Sequence, residues 1–159
     1  MEQRFISSNA QPHQVAYHTK WQAPSNIALV KYWGKTAPQL PKNASLSFTL
    51  SDAQTQTEVH FTPLSSSAKK VSFSILFEGE EKPSFRPKLE AFFDHIVAYQ
   101  PFLLHYDVAI SSHNTFPHSS GIASSASSLA ALAACLVDFE SQLSPMDEKL
   151  KFEKISFLA

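Results

Sequence analysis

Glycine is scarce in this chain: Gly34, Gly79 and Gly121 are the only three in 159 residues. Neither the phosphate-loop pattern G-x-x-x-x-G-K-[ST] nor the dinucleotide pattern G-x-G-x-x-G occurs, so both of those readings are excluded. Cys135 is the single cysteine, which excludes an intramolecular disulfide and a cysteine-ligated metal cluster and agrees with a reducing compartment. No apolar run approaches the roughly 20 residues that span a bilayer. The opening MEQRFISSNAQPHQVAYHTK also lacks the apolar stretch of a secretory signal. With a formal net charge of −1 there is no broad field for nucleic acid or an anionic membrane. These absences lead us to expect a cytoplasmic protein, with local basic residues still available for a small anion.

What is present suits one α+β domain. Hydrophobic residues make up 43% of the chain, enough for a sizeable core. Residues 1–18 are polar and unpatterned and are expected to form a flexible leader, with the domain occupying 19–159. Alternating apolar positions predict strands over 26–30, 44–50, 56–62, 71–77 and 105–112. Leu89, Phe92, Phe93 and Ile96 make one helical stripe within 87–99. The alanine- and leucine-rich run from Ser124 to Asp138 is apolar around most of its circumference, which predicts a buried helix. A last helix is expected with Ser144 as cap and Pro145 at its first position. Its apolar residues Leu150, Phe152, Ile155, Phe157 and Leu158 want a partner surface, and the abrupt finish at Ala159 leads us to expect a piece of something longer.

Two of the three glycines fall in the two segments that carry chemistry. The first is PHSSGIASSASSLAAL, residues 117–132, a serine-rich turn that feeds the alanine-rich helix. A helix start offers unpaired N–H groups and a partial positive charge, Gly121 permits positive φ, and serine hydroxyls bond phosphate oxygens. A phosphate is a sensible occupant, although serines at a helix start also serve as ordinary caps. The second is APSNIALVKYWGK, residues 23–35, where Lys31, Tyr32, Trp33, Gly34 and Lys35 could clamp an anionic small molecule or simply end a strand. His113 and His118 flank the serine-rich turn, but their spacing is that of loop histidines rather than zinc ligands, and no metal site is expected.

Taken together these segments resemble the diphosphomevalonate decarboxylases of the GHMP kinase superfamily. APSNIALVKYWGK is similar to the family's NIA-x-x-KYWGK segment, LPKNASLSFTL at 40–50 to its LP-x-N-x-SLS-x-TL segment, and FPHSSGIASSA at 116–126 to its FP-x-x-x-GLASSA phosphate loop. The three occur in the family's order and cover roughly the N-terminal half of a full-length member. The resemblance implies a ribosomal S5 domain 2-like α+β fold, a need for ATP and Mg²⁺, and a homodimer. It implies phosphorylation of the tertiary hydroxyl of 5-diphosphomevalonate, then loss of phosphate and CO₂ to leave isopentenyl diphosphate.

By the same resemblance Tyr32, Trp33, Gly34 and Lys35 would contact substrate, together with Ser124, Ser125, Ala126, Ser127, Ser128 and Leu129. Ser119, Ser120, Gly121, Ser124 and Ser125 would hold ATP phosphates. The chain departs from the family in three places. Asp138 stands where the family's helix carries an arginine, residues 72–76 lack a second arginine (Arg86 follows some ten residues on), and the family's catalytic aspartate falls beyond residue 159. Two alternatives to the decarboxylase are a mevalonate-type kinase that stops at phosphate transfer, and a non-catalytic ligand-binding domain.

Overall fold

The structure is a computed structural model that describes residues 2–7, 15–36 and 40–159, without the side chains of Glu2, Lys35 and Leu40. Seven strands and three helices succeed one another among these residues. The strands are β1 (Tyr17–Val30), β2 (Lys35–Thr36), β3 (Leu40–Pro41), β4 (Leu46–Pro63), β5 (Ser72–Phe77), β6 (Glu80–Glu81) and β7 (Tyr106–Asn114), and the helices are α1 (Arg86–Ile96), α2 (Ser124–Leu143) and α3 (Glu148–Leu158). Five strands form one sheet in the order β1-β4-β7-β5-β6, with β5 and β7 parallel and the other pairs antiparallel. The parallel pair requires a crossover, which α1 supplies. This is the α+β arrangement expected from the sequence.

Two of the expected strands prove to be one. Residues 46–50 of the first and all of 56–62 lie in β4, joined through SDAQT, whose polar residues mask the alternation. Thr55, Thr57, Val59 and Phe61 all face inward and are buried. Leu46 and Phe48, which the alternation puts on one face, are exposed. A bulge separates the two halves: two residue steps on β1, from Pro24 to Asn26, oppose five on β4, from Gln54 to Thr49. Three additional residues on β4 change the phase of the alternation, so one period cannot describe both halves. Likewise 26–30 is only the far end of β1, which starts at Tyr17 because Thr19, Ala23 and Ser25 face inward.

The core is one cluster between the sheet and the helices. Phe61, Tyr106, Phe102 and Phe139 pack at its centre, with the Phe61 and Phe139 rings stacked at 4.1 Å. Leu89, Phe92, Phe93 and Ile96 are buried, as the helical stripe predicts. α2 runs five residues past Asp138, since Phe139 and Leu143 continue its apolar face. Its alanines let the helix approach the sheet closely. Thr19 Oγ1 donates to the Cys135 carbonyl at 3.2 Å, and the Cys135 thiol reaches the Thr57 carbonyl at 3.4 Å. Burial pushes the Cys135 thiol up to about 12, so the native chain should react with a thiol reagent about three orders of magnitude more slowly than the unfolded chain. Stopped-flow labelling at pH 8 with and without denaturant checks this, and fast native labelling would contradict it.

Two local expectations are corrected at the ends. Ser144 ends α2 rather than starting α3, and Pro145 lies in the connection. The cap of α3 is Asp147, whose carboxylate accepts the Leu150 N–H at 2.8 Å. An ionised oxygen at that position also complements the positive helix end. The expected flexible leader is partly folded: Glu2–Phe5 form a turn of 3₁₀ helix, and Phe5, 5% exposed, stacks on Phe157 at 4.6 Å. Arg4 pairs with Glu153 at 2.9 Å. The partner surface that α3 wanted is therefore α2, Tyr99 and the chain's own first residues. Residues 1 and 8–14 of that leader lie outside the described residues.

Candidate functional site

The turn between β7 and α2 has an unusual backbone. Ser119, Gly121 and Ala123 have φ of 65°, 80° and 60°, and the residues between them are not left-handed. Left-handed residues that alternate with right-handed ones turn successive N–H groups toward one side, the arrangement of a concave anion-binding nest. A serine and an alanine pay about 1–2 kcal/mol each for that conformation, which the surroundings must enforce. Ser25, buried on β1, does part of this by donating its hydroxyl to the Ile122 carbonyl. Thr55 on β4 bonds Ser127 Oγ at 2.7 Å and Asn114 Oδ1 at 2.8 Å, which ties the first turn of α2 to the sheet.

The serines are not caps. The cap position is Ala123, which has no side-chain hydrogen bond to the helix start. Ser127 and Ser128 instead donate back to the Ser124 carbonyl at 3.1 and 2.7 Å. Ser119, Ser120, Gly121, Ser125 and Ala126 are exposed, Ser124, Ser128 and Leu129 are half-buried, and Ser127 is buried. Asn114 Nδ2, at the entrance to the turn, is buried without a hydrogen-bond partner. Exposed donors, an uncapped helix start and one orphaned amide together fit an anionic ligand rich in acceptor oxygens. Sequence reasoning passed over Asn114 and Thr55. The only available signal was that Asn114 lies two residues ahead of the FP that opens the loop segment.

Beside the first turn of α2 is a pocket of about 160 Å³ walled by Ile75, Phe77, Phe85, Leu89 and Leu129. His118 stands at its edge, its ring 5.2 Å from Phe77 and 5.4 Å from Phe85, while remaining exposed. Lys88 also lines it, as do Ser124, Ser125 and Ser128 of α2. Arg86 folds back over β5, its guanidinium 4.9 Å from the Phe73 ring and its Nε bonded to Glu90 at 3.0 Å. At the reversed-charge position Asp138 pairs with Lys151 of α3, whose ammonium lies 5.2 Å from the Trp21 ring. Helix α3 therefore supplies a cation to a spot where α2 carries an anion.

The other expected contact residues occupy a separate arm. Past Ser25, β1 and β4 continue as a ribbon in which Ile27, Leu29, Val30 and Phe48 are exposed, and Tyr32 and Trp33 follow it, Trp33 being 88% exposed. Asn43 shapes this segment: it accepts the Trp33 N–H at 2.7 Å and donates to the carbonyls of Lys31 and Ala44 at 3.1 and 2.8 Å. The Lys42 N–H donates to the Gly34 carbonyl at 2.9 Å, and Lys35 opens the β2–β3 ladder. The KYWGK and LPKN segments are thus one folded unit. Seven residue steps separate Ser25 from Tyr32, an extended reach of up to about 23 Å. The structure joins KYWGK to LPKN, and the serine-rich turn to Ser25, as two groups along one strand.

Residues 23–154 match the profile of the diphosphomevalonate decarboxylase-like N-terminal domain. The chain belongs to that family. The diphosphomevalonate decarboxylase of Bos taurus is 37% identical over 128 residues, which cover 72% of this chain and 31% of the bovine protein. Mevalonate diphosphate decarboxylase from Staphylococcus aureus superposes with a TM-score of 0.71 at 28% identity, covering 92% of this chain and 43% of that one. A structure of MDDEF in complex with MVAPP, AMPPCP and magnesium gives a TM-score of 0.60 at 30% identity, over 82% of this chain and 43% of that one. The chain spans about a third of the length of its curated relatives. The likeness to these decarboxylases carries the GHMP kinase fold with it, as the resemblance implied.

Proposed function

We propose that the intact protein converts (R)-5-diphosphomevalonate to isopentenyl diphosphate with ATP, releasing ADP, phosphate and CO₂. The observation that carries this reading is the alternating backbone of 119–123, set at an uncapped helix start in a chain of this family. ATP supplies the phosphoryl group, which makes a leaving group of the tertiary hydroxyl.

The roles assigned to this chain's residues rest on the family resemblance and are supported by their positions. The N–H groups of the 119–123 nest and the hydroxyls of Ser119, Ser120, Ser124 and Ser125 hold phosphate oxygens and spread the charge that builds during transfer. Such donors are set in place before reaction by Ser25 and Thr55, so little reorganisation remains. Tyr32, Trp33, Gly34 and Lys35, held by Asn43, contact the diphosphate end of the substrate. The first turn of α2, from Ser124 to Leu129, faces the substrate from the other side. Magnesium, a hard cation, would ride on the bound phosphates rather than on a dedicated protein cage.

The test is CO₂ release by the intact protein with Mg-ATP and 5-diphosphomevalonate, with mevalonate and its monophosphate run in parallel and ADP followed throughout. CO₂ from the diphosphate alone is expected. ADP without CO₂ would place the protein among mevalonate-type kinases, the alternative that the changed arginine positions keep open. Neither product would leave a ligand-binding domain.

A further inference from the structure

The outward face of the sheet, opposite α2, carries a second constellation. On β4, Glu58 and His60 are two residues apart and so share one face. On β1, His18 lies directly across from His60, and Lys20 across from Glu58. The two imidazole rings stack with centroids 4.5 Å apart and planes 26° apart. Both aim Nε2 at the same atom: Glu58 Oε1 lies 2.9 Å from His18 Nε2 and 3.1 Å from His60 Nε2. The three donor atoms fall within 4.8 Å of one another.

We propose that His18, Glu58 and His60 form a binding site for a divalent transition metal, zinc by preference, on the outer face of the β1–β4 ribbon. Two imidazole nitrogens and one carboxylate oxygen are a common zinc donor set, with a fourth position left to water. Ligands about 2.0–2.2 Å from a tetrahedral ion stand roughly 3.3 Å apart, so the two imidazole-to-carboxylate separations, 2.9 and 3.1 Å, need to open only slightly. Stacking holds the two rings in register, and both strands belong to the central sheet, so little ordering entropy is left to lose. Lys20 Nζ lies 3.8 Å from the other carboxylate oxygen, Oε2, and leaves Oε1 to the metal.

Spacing along the chain could not show this site. His18 is forty residues from Glu58 in sequence, and only the antiparallel register of β1 on β4 brings them together. A bound ion would cross-link the two strands that also carry Ser25 and Thr55, the residues that seat the serine-rich turn.

The experiment uses the untagged intact protein. Zinc is titrated by calorimetry, cobalt is titrated by its visible ligand-field absorption, and melting is followed with and without zinc. One ion per chain is expected, with four-coordinate cobalt bands and a melting temperature raised by zinc. His18→Ala, His60→Ala and Glu58→Gln should each weaken binding by at least about tenfold and abolish the thermal gain. His95→Gln, on α1, should change neither. Glu58→Gln keeps the side-chain shape on an exposed face, so its folding is checked by circular dichroism without metal. No binding by the wild type, or binding that survives the His18→Ala/His60→Ala double change, would overturn the proposal.

Discussion

Gly121→Val should lower kcat/KM of the intact protein by about 100-fold, the loss typical of removing a well-placed donor to a developing anion. At φ +80° a Cβ added to Gly121 meets nothing within 4 Å, so no steric clash explains such a loss. The change acts through the backbone: a β-branched residue resists positive φ, the alternation of 119–123 is broken, and the N–H groups turn away. Gly79 is a matched control, with φ +80° and nothing within 4 Å of its added Cβ, but set in the turn between β5 and β6. Gly79→Val should cost similar stability and leave kcat/KM within about threefold. Steady-state kinetics with melting curves on both variants decide the matter. Equal losses of activity would remove the serine-rich turn from the phosphate site.

Glu140→Ala should destabilise the protein by about 3–5 kcal/mol, among the largest effects available to a single change here. Glu140 and Lys154 are 4% and 2% exposed and bond at 2.6 Å, joining α2 to α3. Gln100 Nε2 donates to the second Glu140 oxygen at 2.7 Å. Removal of the carboxylate leaves an ammonium buried without a partner, and that desolvation cost is what the variant reports. Glu140→Leu with Lys154→Met should recover most of the loss, because the gain of a buried pair barely exceeds its desolvation.

The same pair carries a pH signature. Burial holds the Lys154 ammonium below the usual lysine value of 10.5, while Glu140 pulls it back up. Below that value the folded chain binds fewer protons here than the unfolded chain, so this group favours folding as pH rises toward 10.5. Denaturant melts of wild type and of the double variant between pH 8 and 10.5 should show that slope only in the wild type. A parallel pair of curves would assign the pH dependence elsewhere.

The family could be read from three short segments because each combines special residues with a local geometry. The turn at 117–126 needs one glycine and many small hydroxyls, and the KYWGK segment combines two lysines, two aromatics and a glycine just past the end of β1. The helices were legible too, since Leu89, Phe92, Phe93 and Ile96 keep one period on one face. Both kinds of signal are short-range and survive without any knowledge of the fold. The fusion of two expected strands into β4 was not legible, because threonines at 55 and 57 face inward and a bulge shifts the phase between the halves. Polarity scores count those threonines as surface, yet the hydroxyls of both are satisfied in the core.

By itself the sequence determined the α+β class, the buried alanine-rich helix, the serine-rich turn and membership of the family. Each rests on residues adjacent in the chain or one helical turn apart. Only the tertiary structure decided how the turn is held, by Ser25 from 97 residues upstream and Thr55 from 72 residues before Ser127. It also decided that Asn43 shapes the KYWGK segment, that Lys151 answers Asp138, and that Phe5 covers α3. The pairing of His18 with His60 belongs to the same group. Register between distant strands is set by the burial of whole faces, a sum over many weak contacts. No local pattern of residues encodes that sum.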